Sequence, residues 1–355
     1  MSQTSKSKRV LYVDRLRGLA VLGMFYVHSG YAWLRSENRD GTDYGAAVGQ
    51  ISGMVAPVFM FLAGVSMAII AARHPDDSRS ARRATAFRGL QILGVGYGLG
   101  LTYLVLSGFP ADWPRMLKVD ILQCIGISMV LLSFLCWPGR RLNWPALAAF
   151  VVLVVGAQIS WRLPLGDWMP NAIAGYLTRE VPGSRFPLFP YGGWVALGLF
   201  VGPLWHRATA GPGEERRFWI GLAIATAASF GLWQLGAWAQ VATGLDRIGI
   251  GGVAPVTTVH YFFFKIGILF SLFGAARLTA SLLDRVPVQP LVLLGRTSLF
   301  GYCAHLIAIY YVFGPFWLGK LEPAEQIGGT VALAAAMIPA CWLWQRWSRA
   351  KLVGR

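Results

Sequence analysis

Three ionisable residues stand in one apolar run near the start of the chain: Asp14, Arg17 and His28, within VDRLRGLAVLGMFYVHSG (Val13–Gly30). Ten residues separate Arg17 from His28. At ~100° per residue, eleven steps bring a helix back to within roughly 20° of its start, so the two share a face, about 16 Å apart along the axis. Asp14 falls within about 40° of the same face. Ionisable groups in a membrane helix are costly, and three in a line point to a functional stripe. The chemistry on offer is proton transfer and anion binding. His28 can serve as a base near neutral pH, with Asp14 as its companion in the catalytic pair. Arg17 carries a permanent charge shaped to clamp phosphate or carboxylate. Plainer readings stand beside these: an imidazole hydrogen-bonded to a neighbouring helix, and an arginine snorkelling to the interface.

A second stripe lies in LGRTSLFGYCAHL, where Ser298, Tyr302 and His305 are spaced i, i+4, i+7 on one helical face, with Arg296 at its start. Packed on the first helix, that face could orient His28 or give hydrogen bonds to a substrate. Ser and Tyr could equally be interhelical glue. A third cluster, Lys118, Asp120 and Gln123 in KVDILQCIG, opens another apolar segment; it would hold an acceptor or serve as interfacial packing. In FMFLAGVSM, Gly64 and Ser66 read as close helix packing. His74, His206 and His260 sit in or beside loops and carry no usable signal.

The elements that must position these residues are membrane helices. Hydrophobic residues make up 55% of 355 and charged residues 14%, with a mean hydropathy of +0.51, outside the range of soluble domains. Ten apolar segments are long enough, or nearly so, to span: Gly18–Trp33, Ala46–Ala72, Gly89–Leu106, Ile121–Trp137, Pro145–Ile159, Phe189–Trp205, Phe218–Ala242, Tyr261–Ala276, Leu291–Phe313 and Ile327–Trp344. The expectation is an all-α polytopic membrane protein of about ten transmembrane helices, a single domain over residues 1–355.

An even count puts both termini on one side. With that side cytoplasmic, the inner segments collect Lys6, Lys8, Arg9, Arg15 and Arg17; Arg73, Arg79, Arg82, Arg83 and Arg88; Arg140 and Arg141; Arg207, Arg216 and Arg217; Arg277, Arg285 and Arg296; and Arg346, Arg349, Lys351 and Arg355. These are 22 of the 32 Lys and Arg, so the positive-inside rule selects this orientation, with Ser160–Leu188 as the longest external segment. The same bias accounts for the net charge of +16 without nucleic acid, and a basic cytoplasmic rim would attract an anionic cosubstrate. The first segment lacks a small-residue cleavage site and carries the polar stripe, which argues against a signal peptide. Cys124, Cys136, Cys303 and Cys341 have neither disulfide nor metal-like spacing, so no metal is expected. There is no interdomain linker and no convincing internal repeat, and many secondary transporters are built from repeats.

An Arg, ten residues and a His at the start of such a domain resemble the acyltransferase-3-like membrane acyltransferases. Within that superfamily the chain is similar to the heparan-alpha-glucosaminide N-acetyltransferase catalytic domain family. The resembling pieces are VDRLRGLAVLGMFYVHSG, APVFMFLAGVSM, KVDILQCIGIS, FPLFPYGGWVALGLFVG and LGRTSLFGYCAHL, in the family's order from Val13 to about Leu306. The resemblance implies transfer of an acetyl or other acyl group from cytoplasmic acyl-CoA to an acceptor at the far face, commonly a sugar. It also implies a catalytic His28 and an Arg17 that serves the donor. One departure concerns a His just beyond the first helix on which lysosomal members rely; Leu34–Gly45 contains none, so the glucosamine acceptor does not carry over.

On physical grounds the donor side would be lined by Arg17, Arg88 and Arg296. The acceptor side would draw on Lys118, Asp120, Gln123, Ser298, Tyr302 and His305. The expected partners are membrane lipid, acyl-CoA and a carbohydrate or glycoconjugate, with no nucleic acid, in a bacterial plasma (inner) membrane. A proton-coupled transporter or flippase is the rival class, since the same His and Asp would serve a proton relay. A silent scaffold is the third, and it leaves the polar stripes without a purpose.

Overall fold

A computed structural model describes residues 11–108, 117–136, 143–209, 211–242, 259–283 and 289–353. Eleven helices carry the architecture: α1 (Leu11–Trp33), α2 (Asp43–Ala72), α3 (Ser78–Leu106), α4 (Ile121–Leu132), α5 (Trp144–Ser160), α6 (Leu188–Ala208), α7 (Pro212–Ala242), α8 (Val259–Leu278), α9 (Gln289–Arg296), α10 (Ser298–Ile307) and α11 (Pro323–Val353). Among the described residues extended pairing is confined to two isolated bridges, Leu34 with Leu321 and Val119 with Ser184. Of the basic residues that set the expected orientation, Lys6, Lys8, Arg9, Arg140, Arg141, Arg285 and Arg355 lie outside the described residues.

The expected segments are mostly helical in their described parts, but they do not amount to ten spans. Among the described residues six helices are long and apolar enough to cross a membrane: α2, α3, α6, α7, α8 and α11. The pair α9–α10 makes a seventh at most, because its two halves are bent by 91°. Helices α4 and α5 are apolar but short, with 12 and 17 residues. Helix α1 has 23 residues but opens on Asp14, Arg15 and Arg17, and it is not among the six. A count of apolar runs cannot distinguish a straight helix from a bent one. The break at Thr297 is the clearest case: its Oγ1 donates to the Leu293 carbonyl at 2.8 Å, a local bond that competes with regular helix.

The helices fall into two compact units. One comprises residues 1–55 and 272–355, the other residues 56–271. In the second unit α2 and α6 cross where Gly64 meets the Val195 carbonyl and Gly198 meets the Phe61 carbonyl. Two missing side chains let the backbones touch there, as small residues do in membrane bundles. Asp77 caps α3 by accepting from the Ser80 hydroxyl at 2.6 Å and the Ser80 backbone N–H at 3.0 Å, and these bonds hold its carboxyl below its ordinary range.

The first unit is organised around α1, which packs on α9, α10 and α11. Gly18 of α1 faces the Leu291 carbonyl and Gly295 of α9 faces the Asp14 carbonyl, both too close for any Cβ. Gly295→Ala is therefore expected to force the helices apart and cost about 1–3 kcal/mol, read as a lower thermal unfolding temperature. Gly274→Ala is the control, because a Cβ there meets nothing within 4 Å. Equal melting of the two variants would contradict the backbone contact.

Candidate functional site

The glycine crossing explains the site's first cluster. With α9 laid on α1 at Gly295, Arg296 is brought beside Asp14, and its Nε donates to Asp14 Oδ2 at 3.1 Å. Arg17 Nη1 stands 3.8 Å from Asp14 Oδ1, one helical turn on. Asp14 is only 4% exposed, so two guanidiniums converge on one buried carboxylate. The adjacent Arg15 is buried as well, and its guanidinium donates to the Ala280 and Leu283 carbonyls, both at 3.4 Å. This end of α1 gathers three guanidiniums about one buried carboxylate and two backbone carbonyls.

The second cluster lies toward the Trp33 end of the same helix. The half-buried His28 ring is 5.1 Å from the His305 ring and 6.3 Å from Tyr302, and Tyr302 and His305 are 5.5 Å apart. Phe25 closes the group at 4.9 Å from His305. His305 is fully buried, with Nδ1 2.9 Å from the Gly301 carbonyl. A carbonyl oxygen only accepts, so Nδ1 carries the proton and Nε2 presents its lone pair. That nitrogen has no hydrogen-bond partner among the described residues. Two imidazoles and a phenol thus meet at a place where protons can be taken and returned.

A buried polar network holds the helix turn that carries His28. Ser29 Oγ and Thr330 Oγ1 are 2.6 Å apart, and Gln326 Nε2 donates to Ser29 Oγ at 2.7 Å and to the Tyr26 carbonyl at 3.3 Å. Tyr44 donates to Gln326 Oε1. At the helix end, Trp33 Nε1 donates to the Ile309 carbonyl at 3.2 Å. These bonds fix α1 against α11, the start of α2 and the turn after α10.

The structure sorts the remaining candidates. Ser298 is half-buried at the first position of α10, outside the ring cluster. Arg88, in the second unit, is exposed and donates to Gln91 Oε1 at 3.3 Å. Asp120 caps α4 by accepting from the Ile121 N–H at 2.8 Å, and the buried Gln123 side chain packs against Gly96 of α3. Lys118 runs along Gly183, beside the bridge between Val119 and Ser184. All three residues of this cluster lie in the second unit.

Some buried polar residues carry no clear sequence signal: Arg15 reads as one of the inner basic residues, and Gln326 lies one residue ahead of the expected segment Ile327–Trp344. Lys265 is 6% exposed inside α8, its Nζ 4.9 Å from the Tyr261 ring centre. A lysine in the run HYFFFKIGILF was the available signal.

The sequence profile of the heparan-alpha-glucosaminide N-acetyltransferase catalytic family matches residues 9–220, more than half of the chain. The chain belongs to that family. Membership makes it a membrane acetyltransferase by class, in agreement with its all-helical build and apolar helices. The matched stretch runs from α1 into α7 and includes Asp14, Arg17 and His28; Arg296, Tyr302 and His305 lie beyond it. No curated relative matches the chain.

Proposed function

We propose that this member of the N-acetyltransferase family moves an acetyl or other acyl group from acyl-CoA to a carbohydrate or glycoconjugate, with His28 as general base. The observation that carries the reading is the meeting of His28 with Tyr302 and His305 on a helix whose other end holds Asp14, Arg17 and Arg296. Lys6, Lys8, Arg9, Arg15 and Arg17, gathered about the start of α1, support a cytoplasmic N-terminal end in a bacterial plasma membrane. The guanidinium end of α1 then faces the compartment that holds acyl-CoA.

Arg17 and Arg296 supply a fixed positive field for the phosphates of the donor, and Asp14 holds both in place. The pantetheine arm is long enough to carry the thioester toward His28. There His28 takes the proton from an acceptor hydroxyl or amine as its oxygen or nitrogen bonds to the acyl carbon. The carbon–sulfur bond breaks, CoA leaves as thiolate, and the proton passes from His28 to sulfur. Acyl transfer through His28 itself is the other route; direct attack is preferred because donor and acceptor can approach from opposite faces. Tyr302 and His305 orient the His28 ring.

A transporter or flippase would use the broken pair α9–α10, the one such pair among the described residues. Transporters of that build place broken helices in two corresponding halves.

Arg17→Ala is expected to weaken acetyl-CoA binding about tenfold or more in titration calorimetry while the protein stays folded. Arg17→Lys should restore affinity only in part, since a point charge cannot reproduce bidentate contacts. Unchanged donor affinity in Arg17→Ala would make Arg17 an interfacial anchor and remove the donor site from this end of α1.

A further inference from the structure

Arg296 serves a second space besides the Asp14 cluster. A cavity of about 410 Å³ opens between α9 and α11, lined by Leu293, Arg296, Ile338, Pro339, Trp342 and Gln345 among others. Its floor is apolar, and its polar side chains are a guanidinium, an amide and an indole, each with an N–H to donate. Such a lining suits an anionic head joined to a hydrocarbon body.

Two further observations fix the surroundings. Most of α11 is exposed, including Val331 and Leu343, so an apolar outer face borders the cavity. Its mouth lies in an aromatic belt: Phe300 stacks on Trp344 at 4.7 Å, Trp344 meets Trp347 at 5.1 Å, and the Arg346 guanidinium sits 4.6 Å over Trp342. Tryptophan and arginine gathered in this way mark the depth of lipid headgroups. The volume takes a phosphoglycerol head and the first methylenes of its chains, and falls short of a whole CoA.

We infer that this cavity is a binding site for an anionic phospholipid of the adjacent leaflet, its phosphodiester held by Arg296 and Gln345 and its glycerol and chains laid on Leu293, Ile338 and Pro339. Because Arg296 also holds Asp14, occupancy would tie the cationic cluster of α1 to the charge of the surrounding membrane. The site rests on the proposed orientation only for naming the leaflet, which is then the cytoplasmic one, where anionic lipids attract basic segments.

The test reads binding without acyl transfer, so its failure is distinct from failure of the proposed function. The full chain in detergent is presented with phosphatidylglycerol or with phosphatidylcholine of the same acyl chains, and retained lipid is counted by native mass spectrometry. The wild type should keep phosphatidylglycerol about tenfold over phosphatidylcholine, as a charge-assisted contact requires. Ile338→Trp, which fills the cavity, should abolish that preference. So should Gln345→Leu, which keeps the packing and removes the amide. Val331→Trp, on the exposed face of the same helix, should preserve it. Equal retention of the two lipids, or a preference that survives Ile338→Trp and Gln345→Leu, would overturn the site. Displacement of the lipid by CoA alone would assign the anion subsite to the donor and overturn the lipid assignment.

Discussion

Replacing His28 by alanine is expected to cut acyl transfer by about 10²-fold or more, with expression, thermal stability and acyl-CoA binding close to wild type. The proton-taking nitrogen disappears, while the guanidinium cluster at the other end of α1 is untouched. Buried bonds of Ser29, Gln326 and Trp33 hold this turn of α1. A purely structural His28 would give the reverse pattern, lower stability with turnover of the surviving protein intact. His305→Gln is the internal comparison. It removes the bare Nε2 and leaves His28 in place, so a positioning role should lower the rate modestly and alter its pH profile. Full loss with His305→Gln and retention with His28→Ala would move the base to α10.

Asp14→Asn is the other large effect expected. Removing the charge leaves the part-buried Arg296 and Arg17 facing a neutral amide, and the loss of a charge-assisted bond costs about 1.5–3 kcal/mol. Stability should fall, and donor affinity should fall with it, because the guanidiniums lose the group that aims them. In a double-mutant cycle with Arg296→Gln the two losses should be far from additive, with a coupling of about 1–3 kcal/mol. Additive losses would mean that the 3.1 Å contact carries no energy of its own.

Asp14 and Arg17 on one stripe, and Tyr302 and His305 on the other, were legible in the sequence because helical periodicity is a property of a single element, whereas Ser298 lies outside the ring cluster. Arg17 lies beside Asp14, one turn away, as their spacing requires, and Tyr302 and His305 share the face that meets His28. Which stripe meets which is a tertiary fact, yet the sequence narrowed it: a polar face in a membrane helix must find another polar face. The ion pair of Asp14 with Arg296 was less accessible. It depends on the Gly295 crossing and on the bend at Thr297, and neither leaves a mark in hydropathy.

The same limitation produced the count of ten. Apolar length alone treats α4, α5 and the bent α9–α10 pair as equal to α2 or α6. Asp120 and Gln123 show how a polar spacing can have a plain cause, one residue capping a helix and the other filling the gap beside Gly96. Lys265 shows the opposite failure. Its charge was visible, but an apolar window averages a single lysine away.

The most direct test of the central claim is CoA release by the purified full chain in proteoliposomes, with acetyl-CoA confined to one face and a glycan or glycolipid extract on the other. Free thiol should appear when the donor faces the basic loops and the Arg17 end of α1, and it should disappear in His28→Ala. A folded wild-type protein that releases no CoA from acetyl-CoA or longer acyl-CoA on either face would contradict the assignment as an acyl-CoA-dependent acyltransferase.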